Sequence, residues 1–276
     1  MENNPLVSVV IPAKNSGTVL ETCFKYIKNQ TYLNIEIIVV DSYSKDKTQK
    51  ICEQYKVRLI QFDDSKIRGH FDATYKRNLG AKEAKGDFVY YLDADFELTP
   101  NVTAEAVAVC RKRNDAVIVK EIVKGQGFWT RCKWLEQETY WGDDNVEAPR
   151  FFKKEVWNKL GGLDENLGAG CDDWDLYQRF RQKGYKVFRI KAPLYHNEGK
   201  ITLSHLWKKA FLYGKDASKF VKKNPRGGLI YFFPIRPAYL KHWKMFVKYP
   251  LEGIGLIFMR IFEYLGGFAG IVASKI

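Results

Sequence analysis

Between Leu6 and Leu92 the chain alternates short β-branched or aromatic runs with segments of helical period, and this alternation restricts the fold more than any other feature. Leu6-Val7-Ser8-Val9-Val10-Ile11, stopped by Pro12, reads as a buried first strand, and Ile35-Glu36-Ile37-Ile38-Val39-Val40, ending at Asp41, as a second. Between them Val19, Cys23, Tyr26 and Ile27 recur at helical spacing. A helix over 48–55, a strand over 57–62, a helix over 75–84 and a strand over 88–92 continue the pattern. This order predicts an α/β fold with a largely parallel sheet covered by helices, in which ligands bind beyond the carboxyl ends of the strands.

That rule singles out the polar residues after three strands: Pro12-Ala13-Lys14-Asn15, Asp41-Ser42 and Asp93-Ala94-Asp95. If the chain stays extended beyond Leu92, Asp93 and Asp95 point to one side, where two carboxylates can share Mg2+ or Mn2+ and the cation can neutralise a diphosphate. The same pattern recurs at Asp173-Trp174-Asp175, but there it opens a predicted helix instead of ending a buried strand. Asp41 can accept hydrogen bonds from a base or a ribose hydroxyl, or it can cap the next helix as Ser42 can; Ser44 and Asp46 read as caps. Arg77 and Asn78 lie on the helix before the Asp93 strand, with Arg77 either on a phosphate oxygen or on the surface.

Further on, the pattern predicts a helix from Pro100 to Arg113, a strand over 116–119, an aromatic-rich helix over 128–141 and, after Phe151-Phe152, a helix over 154–160. A loop over 161–170, a helix over 173–183 and a strand over 185–190 lead to His196. No repeat or low-complexity linker interrupts residues 5–199, which read as one catalytic domain with a donor half over 5–100 and an acceptor half over 101–199.

Residues 200–276 differ in character. The formal net charge of +13 is concentrated here: between Lys208 and Lys248 stand eleven Lys or Arg and one acid, Asp216. A block of that kind favours an anionic partner surface. Segments 202–221 and 238–248 carry apolar residues on one helical face, the second with Lys241, Lys244 and Lys248 on another. Over 251–276 the chain is apolar but interrupted by Glu252, Arg260 and Glu263, and its longest uncharged run is eleven residues, against roughly 20 for a bilayer span. The expectation is a helical, amphipathic extension lying in the membrane interface, with packing on the core or on a second subunit as the alternative. The five cysteines, Cys23, Cys52, Cys110, Cys132 and Cys171, form no CxxC pair and no cluster with histidine, which argues against a zinc site or a disulfide framework. The start, Met1-Glu2-Asn3-Asn4-Pro5, has neither the basic residues nor the apolar stretch of a signal peptide, so a peripheral protein on the inner, cytoplasmic face of the cell membrane is expected.

Taken together, six blocks make the sequence recognisable. Val7-Ser8-Val9-Val10-Ile11-Pro12-Ala13-Lys14-Asn15, Val39-Val40-Asp41-Ser42, Lys76-Arg77-Asn78-Leu79-Gly80, Leu92-Asp93-Ala94-Asp95, Gly161-Gly162-Leu163-Asp164-Glu165 and Asp172-Asp173-Trp174-Asp175-Leu176 closely resemble, in order and spacing, the family 2 glycosyltransferases of the GT-A fold. The resemblance implies a Rossmann-like mixed sheet flanked by helices, and a nucleotide-sugar donor held by residues 12–15, Asp41, Ser42, Arg77, Asn78, Asp93, Ala94 and Asp95. It further implies Mn2+ or Mg2+ on Asp93, Asp95 and His196, and Asp173 as general base. Asp172, Trp174 and Arg150 are assigned to the acceptor side. Lys14, Ser42, Leu163 and Asp172 depart from the family's usual residues.

The expected function is transfer of one sugar, with inversion, from a UDP- or GDP-sugar to a polyprenyl-phosphate, lipid-linked glycan or glycolipid acceptor at an anionic membrane surface, with no nucleic acid involved. Two alternatives stand beside it. A sugar nucleotidyltransferase also uses paired acids and a cation, but it would want a more glycine-rich loop than Pro12-Ala13-Lys14-Asn15-Ser16-Gly17. A nucleic-acid-binding protein would stack bases on Tyr213, Tyr231, Phe232, Phe233 and Trp243.

Overall fold

The computed structural model describes residues 4–67, 72–167, 171–224 and 236–274. Expectations for 1–3, for 168–170 of the predicted loop, and for Arg226, Tyr231, Phe232 and Phe233 within 225–235 lie outside the described residues.

Along the chain run β1 (Val7–Ala13), α1 (Leu20–Lys28), β2 (Ile35–Asp41), α2 (Thr48–Tyr55), β3 (Arg58–Gln61), α3 (Ala73–Glu83), β4 (Phe88–Tyr91) and β5 (Phe96–Leu98). Next come α4 (Val102–Lys112), β6 (Ala116–Ile118), β7 (Glu121–Gln126), α5 (Phe128–Tyr140), β8 (Phe151–Lys153), α6 (Lys154–Leu160), α7 (Asp172–Gln182), β9 (Val187–Arg189) and β10 (Leu194–Lys200). Four helices follow: α8 (Leu203–Lys223), α9 (Pro237–Lys241), α10 (Trp243–Lys248) and α11 (Pro250–Ala273). The chain forms two compact units. The first comprises residues up to Lys120, Ala148–Glu165 and Leu176–Tyr195; the second comprises Glu121–Glu147, Asn166–Asp175 and the chain from His196 onward.

The first unit holds a seven-stranded sheet of order β3-β2-β1-β4-β8-β6-β9. β1 runs parallel to β2 from Val7↔Ile35 to Ala13↔Asp41 and parallel to β4, while β8 runs antiparallel to both β4 and β6. The sheet is therefore mixed. β8 returns from the long stretch after β6 and not from a one-helix crossover, so right-handed crossover geometry does not dictate its direction. Pro12, which reads in sequence as the stop of β1, lies inside it. Pairing with β4 ends where the Leu92 amide reaches Val10 O at 2.9 Å. Pro12, two residues on, points its nitrogen to that unpaired side and costs no ladder bond. Val7, Val9 and Ile11 of β1, Val39 of β2, Phe88 and Tyr90 of β4 and Leu20, Phe24 and Ile27 of α1 bury in one core, and α3 lies close on β1 because residue 80 is glycine: a Cβ there would stand 2.3 Å from Val10 Cγ1.

The second unit is mostly helical, with β7 next to β10. The helix expected over 238–248 is two helices, α9 and α10, because His242 leaves helical geometry at φ −105° and ψ 25°. α8 and α11 touch backbone to backbone: a Cβ on Gly214 would lie 2.0 Å from Gly267 O, and one on Gly270 2.0 Å from Phe211 O. Leu256 and Met259 of α11 bury against Cys132 of α5 and Leu206 of α8. The charges that break the apolar run in sequence all find partners within this unit. Arg131 Nε donates to Glu252 at 3.1 Å, Arg260 pairs with Glu263 at 2.7 Å, and its Nε lies 3.4 Å from Glu136. The uncharged run of eleven therefore understates α11. It is a continuous helix of 24 residues that contains an 18-residue window with a mean hydropathy of 1.6, long and apolar enough to cross a bilayer by those measures alone.

Candidate active site

From β1 the first unit's sheet grows outward through β2 to β3, and then β4 is laid on the opposite side of β1. In open α/β sheets the crevice beyond the strand ends at such a reversal is where ligands bind. β1, β2 and β4 are mutually parallel, so the segments after Ala13, Asp41 and Tyr91 share this edge.

Hydrogen bonds tie the first two segments together. Asp41 is fully buried; its carboxylate accepts from the Ser44 amide at 2.9 Å and from the Ser44 hydroxyl. The Ser44 hydroxyl accepts from the Asn15 amide at 2.7 Å, and Asn15 Oδ1 accepts from the Lys45 amide at 3.0 Å, with Asn15 itself in the left-handed region at φ 52°. Asp46 accepts from the first amide of α2, at Thr48, at 3.0 Å. Asp41 thus braces the turn after β2 and does not cap α2, whose N-cap Lys47 has no side-chain cap bond, and the Ser42 hydroxyl donates to Asp72 at 2.6 Å. Lys76, almost wholly buried, donates to Ala13 O and to Asp72, each at 2.8 Å. Burial pulls its ammonium below the usual lysine range against the opposing pull of Asp72. Lys14 pairs with Asp64, whose hydrogen bond holds its ammonium above that range.

The third segment differs from the extended geometry expected of it. Asp93 to Phe96 form a hydrogen-bonded turn, closed by the Phe96 amide on Asp93 O at 3.2 Å, so strand alternation does not aim the two carboxylates. Asp93 is clamped: Arg77 donates to Oδ1 at 2.6 Å and Arg150 to Oδ2 at 3.0 Å. Both guanidiniums also lie over the Tyr91 ring, at 5.2 and 5.6 Å. Arg77 is therefore buried and paired instead of an ordinary surface arginine, and Arg150 stands beside it on Asp93. Each oxygen of Asp93 thus accepts from a guanidinium, while Asp95 is partly exposed, and carboxylate oxygens suit a hard divalent cation. Asn78 reaches across to a turn distant in sequence. Its amide spans Leu163 O at 2.9 Å, Glu165 Oε1 at 3.0 Å and the Leu163 amide at 2.9 Å, clasping the Gly161-Gly162 turn. That turn needs glycine, since residue 162 has φ +70° and a Cβ would stand 2.7 Å from Asn78 Oδ1.

In the second unit, the first turn of α7 carries Asp172, Asp173 and Asp175. Asp172 and Asp175 are wholly buried, the former accepting from the Asp173 amide at 3.0 Å and the latter paired with Lys223 at 2.7 Å. Asp173 is the one of the three that is partly exposed. Trp174 donates its indole N–H to Val146 O at 3.1 Å. His196 sets Nδ1 2.6 Å from Glu121, a contact that orients the ring. Among the described residues, no three His, Cys, Asp or Glu side chains form a ready-made metal cluster. All five cysteines are buried thiols; burial pushes Cys52, Cys110 and Cys171 up to about 12, so they are not nucleophiles at neutral pH. Sequence reading misses Asp72, Glu121 and the buried state of Lys76. The only signal for them is their place beside residues of the blocks, because their partners are distant in sequence.

The model of the family described as glycosyl transferase family 2 matches residues 8–171. The GalNAc(5)-diNAcBac-PP-undecaprenol beta-1,3-glucosyltransferase of Campylobacter jejuni is 37% identical over 206 residues, 67% of this chain and 65% of that protein. Glycosyltransferase GlyG of Streptococcus pneumoniae is 30% identical over 217 residues, 69% of each. The chain thus spans just under two thirds of the first relative's length. The solved mannosyltransferase PcManGT from Pyrobaculum calidifontis, in complex with GDP-Man and Mn2+, superposes with a TM-score of 0.59 over 99% of this chain and 76% of its own at 19% identity. That likeness shows a common GT-A fold. The family match begins in β1 and runs to the residue before α7, taking in every strand-end segment at the sheet reversal, and so the chain belongs to glycosyl transferase family 2.

Proposed function

We propose that this chain is an inverting, divalent-cation-dependent glycosyltransferase that moves one sugar from a UDP- or GDP-sugar to an acceptor carried on a membrane lipid. The observation that carries the reading is the convergence of the β1, β2 and β4 ends at the sheet reversal, with Asp95 among them, in a member of this family. Mn2+ or Mg2+, when bound, supplies positive charge to the departing diphosphate. Asp95 would hold it, and His196, in the second unit, is the histidine that the family resemblance implies. Asp93, neutralised by Arg77 and Arg150, holds the turn that presents Asp95, and residues 12–15 with the Asp41–Ser44 turn border the nucleoside. Asp173 takes the proton from the acceptor hydroxyl as its oxygen bonds to the anomeric carbon, while the bond from that carbon to the diphosphate oxygen breaks and its electron pair leaves with the nucleotide. Attack opposite the leaving group inverts the centre. The lipid-borne acceptor is supported by the name of the Campylobacter relative.

Calorimetric titration of the full chain with UDP-glucose, UDP-GlcNAc and GDP-mannose, each with and without Mn2+, tests the donor reading. One nucleotide class is expected to bind in a metal-dependent way, and Asp95→Asn to weaken it by about 10–100-fold. Metal-dependent binding that Asp95→Asn leaves intact rules out this assignment.

The membrane reading rests on the outer face of the second unit. Leu251, Ile254, Phe258, Ile261, Leu265 and Phe268 of α11 are each more than half exposed, as are Leu240, Trp243 and Val247, and Lys241, Lys244 and Lys248 are exposed too. Because α11 is packed along its opposite side on α5 and α8, and α8 carries exposed lysines, the helix lies in the interface plane instead of crossing it. Near an anionic surface each lysine contributes about 1 kcal/mol. Changing Lys241, Lys244 and Lys248 together to Glu is therefore expected to reduce flotation with anionic liposomes at low salt by roughly 100-fold or more. Undiminished flotation would count against the interface.

A further inference from the structure

The second unit encloses a cavity of about 950 Å³ bordered by α5, α8, α11 and the start of α7. That is at the upper end of the roughly 300–1,000 Å³ common for ligand pockets. Its walls divide by chemistry. Ala217, Val221, Ile271 and the close-packed glycines Gly214 and Gly267 make one part apolar, and Phe268 lines the cavity while also standing on the exposed outer face of α11. The remainder is cationic: Lys133, Lys209, Lys222, Arg236 and Arg260 line it against the two acids Glu198 and Glu263. Cys171 and Trp174, which flank the 172–173 acids in sequence, line it too.

We propose that this cavity binds the lipid-phosphate end of the acceptor, with a single long hydrocarbon chain along the apolar wall and the phosphate or diphosphate against the cationic one. The proposal rests on the glycosyltransferase reading for calling the ligand an acceptor, but the binding itself follows from this unit alone. Two features argue for that occupant. The cations outnumber the acids, which suits a multiply charged anion. An apolar wall that continues onto the exposed face of α11 lets a hydrocarbon chain reach the cavity from a bilayer without passing through water. The buried carboxylate of Glu136 anchors the cationic wall, with Lys133 at 2.7 Å and Arg260 at 3.4 Å.

The test is calorimetric titration of the full chain with farnesyl phosphate and farnesyl diphosphate below their aggregation limits, beside farnesol, inorganic diphosphate and a two-chain phosphatidylglycerol. Saturable binding of the farnesyl phosphates, at least about tenfold tighter than farnesol or diphosphate alone, is expected. Ala217→Phe fills the apolar wall and is expected to weaken both farnesyl phosphates at least about tenfold. Lys209→Ala, a partly exposed position whose loss leaves the packing intact, is expected to weaken them about tenfold and farnesol not at all. No saturable binding, equal affinity for farnesol, preference for the two-chain phospholipid, or indifference to both substitutions each overturns the proposal. Nucleotide-sugar titration of the same samples separates the two readings: lipid-phosphate binding without donor binding retains the cavity and sinks the glycosyltransferase reading, and the converse result does the opposite.

Discussion

Asp173→Asn is expected to lower the turnover number for sugar transfer by about 10²–10⁴-fold, the range over which a positioned general base contributes, while nucleotide-sugar affinity stays unchanged. The geometry isolates this acid from its neighbours. Asp172 is buried and spends an oxygen on the Asp173 amide, and Asp175 is buried against Lys223, so neither is open to an acceptor hydroxyl. Asp173 occupies the same helical turn but keeps a solvent-facing side. Asn preserves its shape and removes only its capacity to accept a proton, so the loss should fall on turnover and not on KM. Asp175→Asn serves as the contrast. It breaks the pair with Lys223, and its effect should appear in the melting temperature. A turnover number for Asp173→Asn within a few-fold of the parent would remove this residue from the chemistry.

The largest effect on stability is expected at Glu136, which is wholly buried on α5. Its carboxylate accepts from Lys133 at 2.7 Å, from Tyr140 at 2.5 Å and from Tyr239 at 2.8 Å, with Arg260 Nε at 3.4 Å. It thereby ties α5 to α9 and α11. Burial alone would push its pKa up, yet Lys133 and Arg260, with hydrogen bonds from Lys133 and Tyr140, hold it well below the ordinary carboxylate range. Glu136→Ala leaves two cations facing a site without its anion and is expected to cost about 3–5 kcal/mol. For a chain of this size that corresponds to a fall in Tm of roughly 10 °C. The pH dependence has a definite sign. A carboxylate whose folded pKa is depressed contributes fully above its unfolded value of about 4.3 and loses that contribution as pH falls toward the folded value. The gap between parent and variant should therefore be widest near neutrality and narrow below about pH 4. Chemical denaturation at pH 7 and pH 3.5 measures both, and a gap under about 1 kcal/mol at pH 7 would show that the network contributes little.

Much of the fold is legible in the amino-acid sequence. α2 begins and ends where its apolar spacing places it, β1 and β2 follow their β-branched runs, and the order of blocks carries both the family and the strand ends at the sheet reversal. β5, β7 and β10 do not read as strands, because they are short or carry charged and glycine residues, and an unalternating polar run gains its strand form only from a partner elsewhere in the chain. The same physics separates the site residues. Local pattern locates Asp41, Asp93, Asp95 and Asp173, since each follows a strand or opens a helix. What each of them does with its oxygens is decided by residues far along the chain. Arg150 crosses 57 positions to reach Asp93, and Asn78 crosses 85 to reach Leu163. The cavity in the second unit follows the same rule, its walls drawn from segments that periodicity describes one at a time. Sequence by itself determined the strands and helices of strong hydrophobic period, the family and the candidate acids, because hydrophobic period and motif order are local properties. Tertiary structure alone decided that Asp93 is an arginine anchor, that Asn78 is a clasp, and that the charges of α11 find partners inside its own unit, because a charge takes its role from whatever packs against it.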